Sequence, residues 1–303
     1  MTTLDILLEQ NYDTLSSDEC KIRVMQFIRE TPSVLDYDIV FIKKLTKVAN
    51  HVLKSDPDSL DEFLERVFDF NIEGVKKIRA GLDGYTQNNL LILESHFLTY
   101  AGDAAKALFE KTSDLSWAEK WYNTEKLSAD MTIGIEPQKA VYSYSFAGDA
   151  ARVLFKKTDD INWAKKQYDA YEASGVMSVT TDPQHAAYVY GHAGDAAKAL
   201  FEKTSDLSWA EKWYNTKKLS ADMTIGIEPQ FAAHTFCLAG DAARMVCKEL
   251  PKRTRKIKWA KRAIECYNNF LDYYKLNPNP QMEKLIDKVN SDISFLGRFL
   301  YKK

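Results

Sequence analysis

From residue 137 onward the apolar positions fall into one helical phase. Ala140, Tyr144, Ala147, Ala151, Leu154 and Phe155 recur at intervals that line one face of an α-helix. The same phase returns 46 residues later in Ala186, Tyr190, Ala193, Ala197, Leu200 and Phe201. Each stretch predicts one continuous helix of about five turns. Both contain the pentapeptide Ala-Gly-Asp-Ala-Ala, which occurs at 101–105, 147–151, 193–197 and 239–243. A Gly-Asp pair ordinarily marks a turn, but here the apolar phase runs straight through it. The pentapeptide is therefore placed inside the helix. Glycine in a helix interior costs about 1 kcal/mol relative to alanine, so its recurrence predicts a compensating gain, the close approach of a neighbouring helix backbone across a patch of small residues. The aspartate precedes Lys106, Arg152, Lys198 or Arg244 by three residues and is expected to pair with it.

A second amphipathic segment follows each long one. Ser116 with Glu119, and Ser208 with Glu211, have the spacing of a capping box, which puts Trp117 and Trp209 in a first helical turn. Leu115, Ala118 and Tyr122, or Ile161, Ala164, Tyr168 and Tyr171 in the next copy, form its buried stripe. The tail "KLSADMTIGIEPQ" reads as a long connection whose Met131, Ile133 and Ile135 fold back on the array. Pro137, Pro183 and Pro229 then open the next long helix, at the position where a missing N–H does no harm. Each copy is thus a helical hairpin.

Segments 101–138 and 193–230 agree at 37 of 38 positions, the one change being Glu125 against Lys217. Alternate copies match better than neighbours, which implies duplication of a block of two repeats. The fourth copy diverges and carries four extra residues in "ELPKRTRKIKW". The expected fold is all-α, a right-handed superhelix of hairpins with helical caps at both ends. Its repeats span 89–136, 137–182, 183–228 and 229–276. Residues 1–88 form an N-terminal cap or small helical domain, with capping starts at Ser16–Glu19 and Ser59–Glu62, and 277–303 form a C-terminal capping helix.

The hairpin "FKKTDDINWAKKQYDAY" resembles the tetratricopeptide repeat: an aromatic Phe155, a short turn holding Asp159-Asp160, then Ala164 and the aromatic Tyr168 four residues on. The resemblance covers about 91–275, with a period of 46 in place of the family's 34 and a longer first helix. It implies a solenoid whose first helices line a concave groove for a peptide. The family's ligand-clamp positions do not transfer at this spacing.

Composition narrows the function. A formal charge of −2 and a pI near 6.3 give no global attraction to nucleic acid or an anionic membrane. Cys20, Cys237, Cys247 and Cys266 form neither a zinc ribbon nor a disulfide framework, and a reduced, cytoplasmic setting is expected. The acidic, amphipathic start "MTTLDILLEQNYD" does not read as a signal peptide, and no apolar run reaches the length of a membrane span. The five histidines form no metal-binding motif, and there is no phosphate loop or nucleophile elbow. A pairing of His234 with Cys237 lacks the electropositive niche a reactive thiol needs. No enzyme, cofactor or metal is expected.

The side of the long helix opposite its alanine stripe differs from copy to copy. It carries His96 and Tyr100, then Tyr142 and Phe146, then Tyr188 and His192, then His234 and Leu238. Inter-repeat stacking and a peptide-binding groove both account for such a face. Trp121 and Trp213 give way to Gln167 and Ala263 in the other copies, so that position is not expected to be buried throughout. The basic cluster over 252–262, with Lys252, Arg253, Arg255 and Lys256 at its head, offers contacts to phosphate or an acidic partner. The sequence thus points to a non-enzymatic scaffold for a protein or peptide, with an RNA-associated repeat protein as the alternative. Oligomeric state is left open.

Overall fold

In the computed structural model, residues 61–80 and 86–301 are described, together with the isolated position Ile22. The expectations for Ser16, Glu19, Cys20, Ser59 and most of the N-terminal region lie outside them. The described residues form ten α-helices: α1 (Asp61–Arg79), α2 (Gln87–Thr112), α3 (Leu115–Thr132), α4 (Pro137–Thr158), α5 (Ile161–Ser178), α6 (Pro183–Thr204), α7 (Leu207–Thr224), α8 (Pro229–Glu249), α9 (Arg253–Leu276) and α10 (Pro280–Tyr301). The fold is all-α, a succession of helix pairs. It divides into two compact units, Met1–Leu154 and Phe155–Lys303, with the boundary inside α4.

All four Ala-Gly-Asp-Ala-Ala segments lie within helices, and their alanines are buried. Helices α4, α6 and α8 begin at Pro137, Pro183 and Pro229 as expected. The second helices start earlier than a capping box at Ser116 or Ser208 would require. Asp114, Asp160 and Asp206 are the N-caps, each accepting the backbone N–H two residues on. A carboxylate at this position also faces the positive end of the helix dipole. The chain reaches each cap through a left-handed residue, Ser113, Asp159 or Ser205, with φ of 56–58°, and the hydroxyl of Thr112, Thr158 or Thr204 accepts the cap's own N–H.

The tail of each copy is mostly helix. In α3 and α7 the hydroxyls of Thr132 and Thr224 bond carbonyls one turn back, and both helices run to these residues. The connection to the next helix is therefore short; Met131 packs against the cluster of Val75, Ile78, Leu93, Phe97 and Leu98 as expected, Ile135 is half-buried, and Ile133 and Ile227 are exposed.

Aromatic interlocks join successive hairpins. Tyr168 meets Trp209 edge to face at 5.3 Å and Tyr214 meets Trp259 at 5.2 Å in the second unit; Phe68 meets Trp117 at 5.3 Å in the first. Over each of these indoles lies the cation three residues later: Lys120 at 3.5 Å, Lys212 at 4.2 Å and Arg262 at 4.4 Å. Trp121, Gln167, Trp213 and Ala263 are all buried, contrary to expectation. Lys106 and Lys198 reach over Trp121 and Trp213 from the facing long helix. Flexible stems of this kind let one buried position hold different residues.

Candidate functional site

The recurring glycine makes room for a side chain, not for a helix backbone. A methyl group on Gly102 would lie 2.6 Å from Glu125 Oε1, on Gly194 2.8 Å from Lys217 Cγ, and on Gly240 2.5 Å from Tyr267 Cε1. These three residues occupy the same place on the second helix of their hairpins, and each is buried. The aspartate beside the glycine faces the same occupant. Lys217 Nζ lies 2.7 Å from Asp195 Oδ1, and Tyr267 donates its hydroxyl to Asp241 Oδ1 at 2.7 Å. Gly-Asp is therefore a socket: glycine supplies the volume and aspartate the acceptor.

The expected pairing of that aspartate with the cation three residues on holds for Asp149 and Arg152, at 2.9 Å. Lys106 and Lys198 instead approach Glu110 and Glu202, and Arg244 approaches Asp292. For Asp195 and Asp241 the socket occupant, Lys217 or Tyr267, takes the place of that cation.

In the first socket the occupant is an acid. Glu125 is fully buried and neither carboxyl oxygen reaches a partner at full hydrogen-bond geometry, the Ser143 hydroxyl beside it donating to Ser128 Oγ at 3.4 Å. Burial, and then the neighbouring Asp103 carboxylate, push its carboxyl well above the usual range, against weaker opposition from Ser143, Lys139 and Lys106. Burial thus favours the protonated, neutral form of Glu125. Burial likewise lowers the ammonium of Lys217, opposed by Asp195. The single substitution between the duplicated segments falls in this socket.

The predicted partner-binding residues do not behave alike. Tyr142, Phe146 and Tyr188 are 40, 38 and 48 % exposed. His96 and Tyr100 are half-buried and stack on each other at 6.3 Å. His192 is half-buried between Tyr171, stacked at 5.3 Å, and Tyr188, edge-on at 4.5 Å. His234 is exposed and Leu238 half-buried. Sequence reading passed over Phe231, which is 38 % exposed. The available signal was its place two residues after Pro229, where the earlier copies carry Lys139 and His185.

Tyr188 and Phe231 border a hollow of about 370 Å³ between the starts of α6 and α8, with Asp182, His185 and Glu228 on its wall. Phe231 leans over α6, its ring tip 3.8 Å from where a methyl on Gly191 would sit. Asp182 caps α6 by accepting the His185 N–H at 3.0 Å, and Gln184 donates to Glu228 Oε1 at 3.2 Å.

The basic cluster opens α9. Lys252, Arg253 and Arg255 are exposed, while Lys256 is half-buried and donates to the Lys248 carbonyl at 3.2 Å. This helix has no side-chain cap and no acid in its first turn. Cys237 is buried, and its thiol is pushed up to about 12, principally by that burial, so it stays protonated at neutral pH. Among the described residues no group of three or more His, Cys, Asp or Glu side chains is placed to hold a metal, and no helix is long and apolar enough to cross a membrane.

No family model matches the chain, and no curated protein matches it. Among solved structures it is similar to the DHF58 filament, at 10 % identity over 93 % of this chain and 98 % of that one, with a TM-score of 0.16. It is also similar to the de novo designed helical repeat protein DHR64, at 10 % identity over 93 % and 96 %, with a TM-score of 0.14.

Proposed function

We propose that the protein is a non-enzymatic, tetratricopeptide-like adaptor that binds a protein or peptide through the exposed face of its long helices. The observation that carries this reading is the exposure of Tyr142, Phe146, Tyr188 and Phe231, each 38–48 % open, on helices whose opposite faces are fully buried. Large aromatics left open in this way contribute most where an interface forms. The test is capture of peptides from a displayed random library by the full chain. Enriched peptides that lose binding to a Tyr142→Ala, Tyr188→Ala double variant support the reading; unchanged binding by that variant removes it.

A second reading takes the start of α9 as a phosphate-backbone contact. It is favoured by the exposed Lys252, Arg253 and Arg255 at a helix N-terminus without a capping side chain. It requires RNA affinity that falls steeply with salt and disappears in an Arg253→Gln, Arg255→Gln, Lys256→Gln variant.

A further inference from the structure

The hollow between the starts of α6 and α8 has a definite chemical bias. Two aromatic rings, Tyr188 and Phe231, stand open beside it, and two carboxylates, Asp182 and Glu228, line its wall. Neither Lys nor Arg is among the residues bordering it. Burial, opposed by Asp182, pushes His185 down from the ordinary histidine value and so favours its neutral form. An aromatic wall attracts cations through its ring faces, and the carboxylates add a charge that an apolar or anionic guest would not neutralise. One edge of this arrangement is preset: the Tyr188 ring packs against His192 at 4.5 Å, which limits its freedom and lowers the cost of ordering it on binding.

From this combination we infer that the hollow is a receptor for a cationic side chain, lysine or arginine, presented by a bound peptide. The inference rests on the peptide-binding reading above and specifies what one part of that surface selects. The stem of the guest would lie along Tyr188 and Phe231, and its charged end would face Glu228 and Asp182.

The full chain, carrying ¹³C-labelled Tyr and Phe rings, is titrated with acetyl-Gly-Gly-Lys-Gly-Gly-amide and with the Arg and norleucine counterparts, followed by NMR. The lysine and arginine peptides are expected to shift the Tyr188 and Phe231 resonances saturably, at least about five-fold more tightly than norleucine. Glu228→Gln, which removes a carboxylate that makes no capping bond, is expected to weaken them about three-fold. Tyr188→Ala is expected to weaken them by a similar factor, and unchanged thermal melts establish that both variants fold. Equal binding of the norleucine peptide overturns the cation receptor while leaving apolar peptide docking in place. Shifts confined to Tyr142 and Phe146 also overturn it while leaving the wider reading intact. A lack of any shift overturns it as well, and the library capture then decides the wider reading separately.

Discussion

Glu125 is the residue where the repeat departs most from its own logic. Its counterparts Lys217 and Tyr267 bring a proton donor to the socket aspartate, whereas Glu125 meets Asp103 as a second acid. A buried polar group without a partner costs about 1–3 kcal/mol. Glu125→Lys should recreate the Lys217–Asp195 pair in surroundings that are nearly identical in sequence, raising stability by on the order of 1–2 kcal/mol in urea melts. No gain would mean that the two sockets differ in more than their occupant.

The pH dependence has a definite sign. Between the ordinary carboxylate pKa and the raised native value, the folded state holds a proton on Glu125 that the unfolded state has lost. Stability therefore falls as pH rises through that window, by at most about 1.4 kcal/mol per pH unit, and levels off above it. Glu125→Gln should flatten this slope and leave the protein more stable at pH 7, as judged by melts from pH 4 to 8. At the other end of the array Gly240→Ala gains about 1 kcal/mol of helix propensity but places a methyl 2.5 Å from the buried Tyr267 ring. Overpacking of about 1–3 kcal/mol should win, so the variant is expected to melt lower than the parent.

Helix starts depend on chemistry that a periodic pattern does not contain. Each second helix is entered through a left-handed residue and capped by an aspartate, as at Ser205 and Asp206. The Ser208 N–H holds the Asp206 carboxyl below the usual range, so the cap stabilises the fold above the ordinary carboxylate pKa and is lost as pH falls through the native one. Asp206→Ala should lower the melting temperature at pH 7 and Asp206→Asn, which keeps the acceptor, should largely retain it. Equal melting of the two variants would assign the helix start to Ser208 after all.

Across the whole molecule the two units offer separate reporters. Repeat stability is close to a sum of local terms and nearest-neighbour contacts. Glu125→Lys should slow amide exchange chiefly in 87–154, while Gly240→Ala should speed it chiefly in 229–301. Mass-spectrometric hydrogen exchange reads both, and a uniform change along the chain would mark a single cooperative unit.

Helical hairpins, their 46-residue spacing, proline starts and the place of Ala-Gly-Asp-Ala-Ala inside a helix follow from the sequence alone, because each is a local matter of a 3.6-residue period or of one residue's backbone geometry. The occupant of the socket is different. Glu125 and Lys217 lie 23 residues beyond their glycines and Tyr267 lies 27 beyond Gly240, on a second helix whose rotation no periodicity specifies. The same dependence on facing helices decided that Trp121 and Gln167 are equally buried, that Tyr188 stays open while His192 is half-buried against Tyr171, and that Phe231 joins Asp182 and Glu228 at one hollow. Which side chains meet, and which stay exposed, is fixed by packing between helices, so only the tertiary structure could supply it.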